Sequence, residues 1–241
     1  LFGQQSMLLR NNGRSGFTDY SDQFPFQPGE ALDATLYDLV RDAEVMDLAV
    51  AYKDSPIVIY RDRLGGHYEA HSLSDPLPGI RSIEAFDLNN DGWTDLAGLS
   101  DSEVFVLVNR EGTLEKISVG TTQDESLVLA DLANRGVVDL VVGSSAYQNQ
   151  GRGRFSPAQE LAPLGPIMSV AGADFNGDGR ADLALVTLQG EIHLLENEAE
   201  SRNRWLQLSL TGVRNLSMAP GAKVEVRAGS LYQKRIYRGV P

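Results

Sequence analysis

One ten-residue pattern occurs twice in the chain, as DLNNDGWTDL at residues 87–96 and as DFNGDGRADL at residues 174–183. Oxygen-bearing side chains stand at positions one, three, five and nine, and glycine stands at position six. A short loop can surround a hard cation only if alternate side chains point inward and the backbone turns sharply midway. Gly92 and Gly179 allow that turn because glycine tolerates positive φ. The spacing therefore indicates an oxygen-lined cation loop.

The cation that this donor set favours is Ca2+, which takes about six to eight oxygen ligands. Predicted ligands in the 87 loop (residues 87–95) are the side chains of Asp87, Asn89, Asp91 and Asp95 and the carbonyl of Trp93. Predicted ligands in the 174 loop (residues 174–182) are the side chains of Asp174, Asn176, Asp178 and Asp182 and the carbonyl of Arg180. An EF-hand is excluded, because it needs a bidentate glutamate at position twelve and flanking helices. Instead, each loop leads into an apolar run that is typical of a buried strand. The alternative interpretation is a pair of acidic turns without metal.

Two degenerate copies of the pattern are the 38 loop (residues 38–47) and the 131 loop (residues 131–139). The first acids of the four copies are separated by 49, 44 and 43 residues, so the pattern marks an internal repeat. Both degenerate copies lose ligand positions. The departures are Val40, Ala43 and the late Asp47 in the 38 loop, and Ala133 and Arg135 in the 131 loop. These changes leave metal binding at both copies in doubt.

In the 131 loop, Arg135 stands between two acids that keep their places, Asp131 and Asp139. Two carboxylates that face each other without a cation repel and raise each other's pKa. A guanidinium between them removes that penalty and donates charge-assisted hydrogen bonds. We therefore predict that Arg135 takes the place of the metal, with its side chain folded towards Asp131 or Asp139. The alternative is an Arg135 side chain that points into solvent.

Each repeat of about 45 residues contains four short strand-like segments. One precedes the acidic loop, one follows it, and two form a hairpin around a glycine turn. A four-stranded unit at that period is typical of a β-propeller blade. No segment keeps the apolar spacing of a helix over three turns, so little helix is expected. The prediction is an all-β propeller of four-stranded antiparallel blades, with about four full blades and a partial one.

The same pattern divides the chain into three parts. Residues 1–30 are predicted to form the outer hairpin of a partial blade, residues 31–204 the blades, and residues 205–241 a further β segment. A blade leaves an apolar face open unless it has a neighbour on each side. We therefore expect residues 222–238 to pack near residues 5–20 and complete a blade.

The composition excludes several classes of function. A formal net charge of −12 argues against nucleic acid as a partner, because phosphate binding needs a basic face. The chain has no cysteine, so disulfides, thiol catalysis and zinc–thiolate sites are excluded. No run of about 18 apolar residues is present, so no membrane-spanning segment is predicted. The N-terminal sequence is neither a signal peptide nor a natural start, and the chain is expected to be an excised piece.

The 87 and 174 loops, with the LLRNNG…F hairpin at residues 8–17, resemble the FG-GAP/VCBS family of β-propeller repeats. The resemblance covers roughly residues 1–200. The tail resembles the ASPIC/UnbV module that often follows such repeats, through NRWL at residues 203–206 and PGAKVEV at residues 220–226. Together these features are similar to the cartilage-acidic-protein and UnbV-like group. The family's Ca2+ ligands correspond to the side chains named above in the 87 and 174 loops.

The resemblance and the loops predict a Ca2+-stabilised, extracellular or periplasmic β-propeller. Its expected function is non-catalytic binding or scaffolding of a protein or glycan partner, without membrane insertion. No nucleophile motif such as G-x-S-x-G is present, and no catalytic residue is predicted. The alternative is a polysaccharide-active enzyme or its accessory domain, since propellers host both functions. An N-glycosylation sequon at residues 215–217 matters only in a eukaryotic secretory setting.

Overall fold

The computed structural model describes residues 6–40, 45–73, 77, 79–101, 103–200, 203–212, 219, 221–229 and 231–237. Among these residues the regular structure is β-strand, apart from two 3-10 turns at Gly13–Ser15 and Ser21–Gln23. No helix in the described part of the chain has the length and apolar character needed to cross a membrane. The sequon at residues 215–217, Ala43 of the 38 loop and Pro220 of the tail motif lie outside the described residues.

The strands form four successive sheets flanked by two hairpins. The N-terminal hairpin contains β1 (Leu9–Asn11) and β2 (Phe17–Asp19). The first sheet contains β3 (Ala31–Tyr37), β4 (Asp47–Tyr52), β5 (Ser55–Asp62) and β6 (Tyr68–Ser72). The second contains β7 (Ser82–Phe86), β8 (Asp95–Leu99), β9 (Glu103–Arg110) and β10 (Thr113–Thr121). The third contains β11 (Leu127–Ala130), β12 (Asp139–Val142), β13 (Ser145–Tyr147) and β14 (Gln159–Glu160). The fourth contains β15 (Ile167–Ala173), β16 (Asp182–Thr187) and β17 (Ile192–Leu195), and the C-terminal hairpin contains β18 (Lys223–Ala228) and β19 (Leu231–Ile236).

Each of the four sheets is an antiparallel meander in which strands pair in chain order. The first strands of successive sheets, β3, β7, β11 and β15, lie beside one another. Every acidic loop connects the first strand of a sheet to its second, so the four loops occupy the same end of their sheets. The fold therefore brings the repeated motifs together along one face of the molecule.

A separate apolar cluster fills each gap between neighbouring sheets. Burying one large apolar side chain completely stabilises a fold by about 1.5–3 kcal/mol. Because both sheets contribute to each cluster, a sheet that is separated from its neighbour exposes much of its core. Representative side chains are Tyr37, Ile83 and Phe105 in the first gap, Val106, Leu140 and Tyr147 in the second, and Val141, Ile167 and Leu185 in the third.

The strand that follows each acidic loop is the most buried strand of its sheet. All residues of β8 and of β12 are buried, which confirms that the apolar run after the loop is a buried strand. Within β8, Gly98 faces the ring of Phe105 so closely that a Cβ would collide with it. Glycine is therefore required at this position for the aromatic ring to pack across the sheet.

The prediction of an all-β fold with four-stranded antiparallel units is confirmed by the first three sheets. The fourth sheet has three strands among the described residues, and its apolar side chains Met168, Ile192 and Leu194 are about half exposed or more. The number of blades and the closure of a ring stay predictions.

The C-terminal hairpin does not have the predicted place. Strand β18 pairs with β19, and β1 pairs with β2, so the two hairpins are separate sheets. The expectation that residues 222–238 complete a blade with residues 5–20 is therefore wrong. The C-terminal hairpin lies instead against the acidic loops, because Lys223 and Lys234 both reach the buried carboxylate of Asp38.

Candidate functional site

The first acid of three loops holds its loop closed through the backbone. In the 87 loop, the carboxylate of Asp87 accepts the N–H groups of Asp91 and Gly92, at 3.1 and 2.9 Å. Asp131 and Asp174 accept the N–H groups at the same two loop positions, at distances between 2.6 and 3.1 Å. The 131 loop thus keeps the same turn even though it lacks two ligand positions.

The last acid of each loop joins two strands of its sheet. Asp95 accepts the N–H of Leu88 at 2.9 Å and that of Asn109, at the end of β9, at 2.7 Å. In the first sheet, Asp47 accepts the matching N–H groups of Leu39 and Asp62. In the fourth sheet, Asp182 accepts those of Phe175 and Asn197. Such bonds stabilise the charged carboxylate, and the N–H of Asn197 is the main reason that the pKa of Asp182 is lowered.

The middle ligand positions are turned towards the loop backbone. Asn89 accepts the N–H of Asp91 at 2.9 Å, and Asp91 accepts the N–H of Trp93 at 2.8 Å. The 174 loop repeats both bonds through Asn176 and Asp178. A carboxylate has about four lone-pair sites, so acceptance of one or two N–H groups leaves oxygen donors for a cation.

Positive φ angles shape the loops at two positions. The φ of Gly92 is 88° and that of Gly179 is 84°, which confirms the predicted role of glycine at position six. Position four also has positive φ, at Asn90 (59°) and Asn134 (49°). The amide of Asn90 donates to the carbonyl of Gly136 in the next loop, at 2.8 Å, and Asn134 donates to that of Gly179 at 3.0 Å. The 87 loop and the 131 loop are therefore each hydrogen-bonded directly to the loop after them.

An asparagine joins each of the second, third and fourth sheets to the sheet before it; Asn109 and Asn149 are buried, and Asn197 is partly buried. The Asn149 side chain donates to the carbonyl of Leu88 in the second sheet, at 2.8 Å, and to that of Val138 in its own sheet, at 2.9 Å. Its oxygen accepts the N–H of Gly151 at 2.8 Å. Asn109 and Asn197 repeat this arrangement with the carbonyls of Leu39 and Leu132 in the preceding sheets. We call these three residues the asparagine clasps.

The prediction for Arg135 is confirmed. Its guanidinium donates to the carboxylate of Asp139 at 2.6 Å and to the carbonyl of Asn149 at 3.0 Å. The Asp139 side chain is only 3% exposed, so this ion pair is shielded from water on one side. Burial raises the pKa of Asp139, and the charge of Arg135 acts in the opposite direction. In this loop the protein therefore supplies its own cation.

The 87 loop has no such internal cation, and its acids are crowded. The pKa of Asp87 is raised to about 6 and that of Asp95 to about 7, mainly by burial and in part by the charge of Asp91. A cation among these oxygens would relieve both costs, so the donor chemistry of the 87 loop fits Ca2+. Among the described residues, however, no three acid or histidine side chains are grouped closely enough to hold a metal ion. The Ca2+ ligands stay a prediction.

The 174 loop has the same ligand types in a more exposed setting. The Arg180 guanidinium forms an ion pair with Asp178 and donates to the carbonyl of Asn197 at 2.6 Å. On the other side, the indole of Trp205 packs against Gly179, where it leaves no room for a Cβ. A cation bound in this loop would share the Asp178 carboxylate with Arg180.

Two groups of residues near this site were not predicted from the sequence. The asparagine clasps were visible as an asparagine shortly before a turn, in VNREG at residues 108–112 and QNQG at residues 148–151. That pattern is also typical of an ordinary hairpin turn, so it did not indicate a bond between sheets. The second group, Lys223, Lys234 and Arg235 of the C-terminal hairpin, had no signal in the sequence, because their partners lie more than 100 residues away.

Face-to-face meanders with adjacent first strands define a repeat protein of the β-propeller type. Residues 87–142 and 143–185 match the family model of the FG-GAP-like repeat. These segments confirm the repeat resemblance, whereas the ASPIC/UnbV resemblance of the tail stays a prediction. No curated protein sequence matches the chain.

Among solved structures, the chain is similar to an Agrocybe aegerita lectin described as recognising non-reducing terminal N-acetylglucosamine. The TM-score is 0.55 at 15% identity, over 82% of this chain and 58% of the lectin chain. It is also similar to the Vibrio cholerae biofilm matrix protein Bap1, with a TM-score of 0.46 at 17% identity, over 77% of this chain and 29% of that chain. The chain thus spans little more than half of the lectin chain. At this identity the likeness to the lectin shows the fold alone.

The asparagine clasps predict a measurable contribution to stability. Asn149→Ala leaves two buried carbonyls and one N–H without the side chain that binds them, so we expect it to lower the free energy of unfolding by about 2–4 kcal/mol. The neighbouring Gln148→Ala, at an exposed position, is the matched control and should change it by less than about 0.5 kcal/mol. Urea denaturation measures both. Equal effects of the two substitutions would contradict a clasp between sheets.

The crowded acids of the 87 loop predict an unusual pH dependence for the metal-free protein. Asp87 and Asp95 bind protons more tightly in the folded chain than at their ordinary pKa of 3.8. Their contribution to stability is therefore complete below about pH 4 and is lost as the pH rises to about 7. In chelator, we expect a higher melting temperature at pH 5.5 than at pH 7.5. Added Ca2+ should reduce this difference, and a metal-free protein that is more stable at pH 7.5 would contradict the account.

Proposed function

We propose that this chain is part of a Ca2+-stabilised β-propeller that acts outside the cytoplasm as a binding or scaffolding module. The observation that carries the proposal is the 87 loop, where buried, crowded carboxylates lie in a segment that matches the FG-GAP-like repeat. Weak Ca2+ sites suit extracellular modules, which work at roughly 10⁻⁴–10⁻³ M Ca2+. We further propose that residues 203–226 begin an ASPIC/UnbV-like module.

A groove between the third and fourth sheets is our candidate ligand site. Its volume is about 490 Å³, and its lining combines amide and carboxylate side chains with leucines. Amides and carboxylates can donate to and accept from hydroxyl groups, and leucines can cover the apolar faces of a sugar or of a peptide side chain. The lining residues with these groups include Gln148, Gln159, Glu196, Glu198, Leu161 and Leu194. The partner class is therefore a glycan or a protein segment, and the lectin fold makes glycans the first to test.

Substitution of one ligand in each loop tests the metal. Isothermal titration of the wild-type chain with Ca2+ is expected to show two sites, and Asp91→Ala and Asp178→Ala should each remove one, because each deletes a carboxylate donor. Asp54→Ala makes the same charge change at an exposed position outside the loops and should keep both sites. Chelation should lower the melting temperature of the wild type. An unchanged melting temperature would contradict a structural metal.

A screen of glycan and protein arrays, in Ca2+ and in chelator, tests the binding function. We expect binding in Ca2+ that weakens in chelator. Gln159→Ala with Glu198→Ala, both exposed in the groove, should reduce binding at least tenfold while the melting temperature stays unchanged. Gln123→Ala, exposed outside the groove, is the control. Binding that survives the groove substitutions would place the ligand elsewhere on the molecule, and turnover of a polysaccharide would favour the enzyme alternative.

A further inference from the structure

The C-terminal hairpin contacts three of the acidic loops at once. The Lys234 ammonium lies 2.9 Å from the carboxylate of Asp38 and donates to the carbonyl of Gly92 in the 87 loop at 3.4 Å. The Gln233 amide donates to the carbonyl of Gly136 in the 131 loop at 2.6 Å. Leu231 packs against Gly136 so closely that a Cβ there would lie 2.9 Å from it. One hairpin thus bridges the first, second and third sheets.

The hairpin supplies the positive charge that the 38 loop needs. The Asp38 side chain is fully buried, and the ammonium groups of Lys223 and Lys234 both lie 2.9 Å from the same oxygen. The Lys234 side chain is 4% exposed, so water contributes little to its solvation. A buried acid without a cation is unfavourable, which makes the docked hairpin the counter-ion of this loop.

The same hairpin brings a guanidinium next to the 87 loop. The Arg235 guanidinium lies 4.0 Å from the centre of the Phe86 ring, directly before Asp87 in the chain. Arg235 and Asp87 line one cavity of about 270 Å³, beneath β19 and between the first strands of the first three sheets. Burial lowers the pKa of Arg235 to about 10, while the charges of Asp87 and Asp131 favour its protonated form. Arg235 therefore interacts with a carboxylate that is also a predicted Ca2+ ligand.

We propose that Ca2+ in the 87 loop and the docked C-terminal hairpin oppose each other, so that the hairpin is a calcium-sensitive latch across three sheets. The inference rests on the proposed Ca2+ site. A divalent cation among Asp87, Asp91 and Asp95 repels the guanidinium of Arg235 and the ammonium that binds Gly92. The cation also neutralises the negative charge of Asp87, which favours the buried, protonated guanidinium of Arg235. Since coupling between two binding events is reciprocal, the docked hairpin weakens Ca2+ binding by the same factor by which Ca2+ weakens docking.

Ca2+ affinity of hairpin variants is the first test. Arg235→Gln removes the charge next to the 87 loop, and Arg227→Gln removes one from the same hairpin at a position that is 71% exposed and pairs with Glu225. Isothermal titration should show that Arg235→Gln tightens the site that Asp91→Ala abolishes by about fivefold or more. Arg227→Gln should leave its affinity within about twofold. Equal tightening in both variants would mean a general charge effect and would overturn the latch.

Hydrogen exchange of the wild-type chain is the second test and needs no substitution. A two-stranded hairpin that is released from its support is marginally stable, so its backbone amides should exchange faster. We expect residues 223–236 to lose protection on addition of Ca2+, whereas β9, whose residues 104–109 are buried, keeps its protection. Unchanged or increased protection of the hairpin in Ca2+ would overturn the proposal.

The two tests separate failure of the latch from failure of the metal site. If neither the wild type nor Arg235→Gln binds Ca2+, the proposed metal function and the latch are both overturned. If both bind Ca2+ with equal affinity and the exchange of the hairpin does not change, the metal function stands and the latch alone is overturned.

Discussion

The rest of the structure depends on the bond that a buried asparagine makes with the sheet before it. A propeller-type sheet can slide or tilt against its neighbour as long as only apolar side chains meet, because the hydrophobic effect has no direction. The amide of Asn149 reaches one carbonyl in its own sheet and one in the second sheet, and both are buried. Loss of alignment leaves these groups unsatisfied, which is costly in an apolar interior. The clasps thus fix the position that the apolar clusters only favour.

The acidic loops differ in how their negative charge is balanced. Each acidic loop concentrates carboxylates beside a buried strand, and in three of the four loops one of these acids forms an ion pair with a protein cation. Arg135 serves the 131 loop, Lys223 and Lys234 serve the 38 loop, and Arg180 pairs with one acid of the 174 loop. Among the described acids of the four loops, only Asp87 and Asp95 have pKa values that are raised as far as about 6 and 7. Both degenerate loops, and one of the two loops with the full ligand pattern, therefore pair an acid with a protein cation.

The sequence predicted the features that depend on local pattern. The repeat period and the glycine turns indicated four-stranded units, and the position of Arg135 between two acids was enough to predict its ion pair. The place of the C-terminal hairpin was not predictable in this way. The alternation in residues 223–227 indicates a strand but does not identify what covers it, and the pairing of Lys234 with Asp38 joins residues 196 positions apart. Only tertiary structure brings that buried acid and its lysines together.

The asparagine side chains at position four of the loops donate their hydrogen bonds in one direction, towards the next loop. Asn90 donates to the loop after it and Asn134 does the same, but position four of the 174 loop is Gly177, which has no side chain to donate. The asparagine clasps donate in the opposite direction, to carbonyls of the preceding sheet. In the described part of the chain, these asparagine bonds therefore join each repeat to its immediate neighbours, as in a one-dimensional array. A junction between two repeats therefore combines a shared apolar cluster with asparagine donors and carbonyl acceptors in register. The 131 loop, which lacks two of the predicted ligand positions, is held between its neighbours by the bonds of Asn90, Asn134 and Asn149.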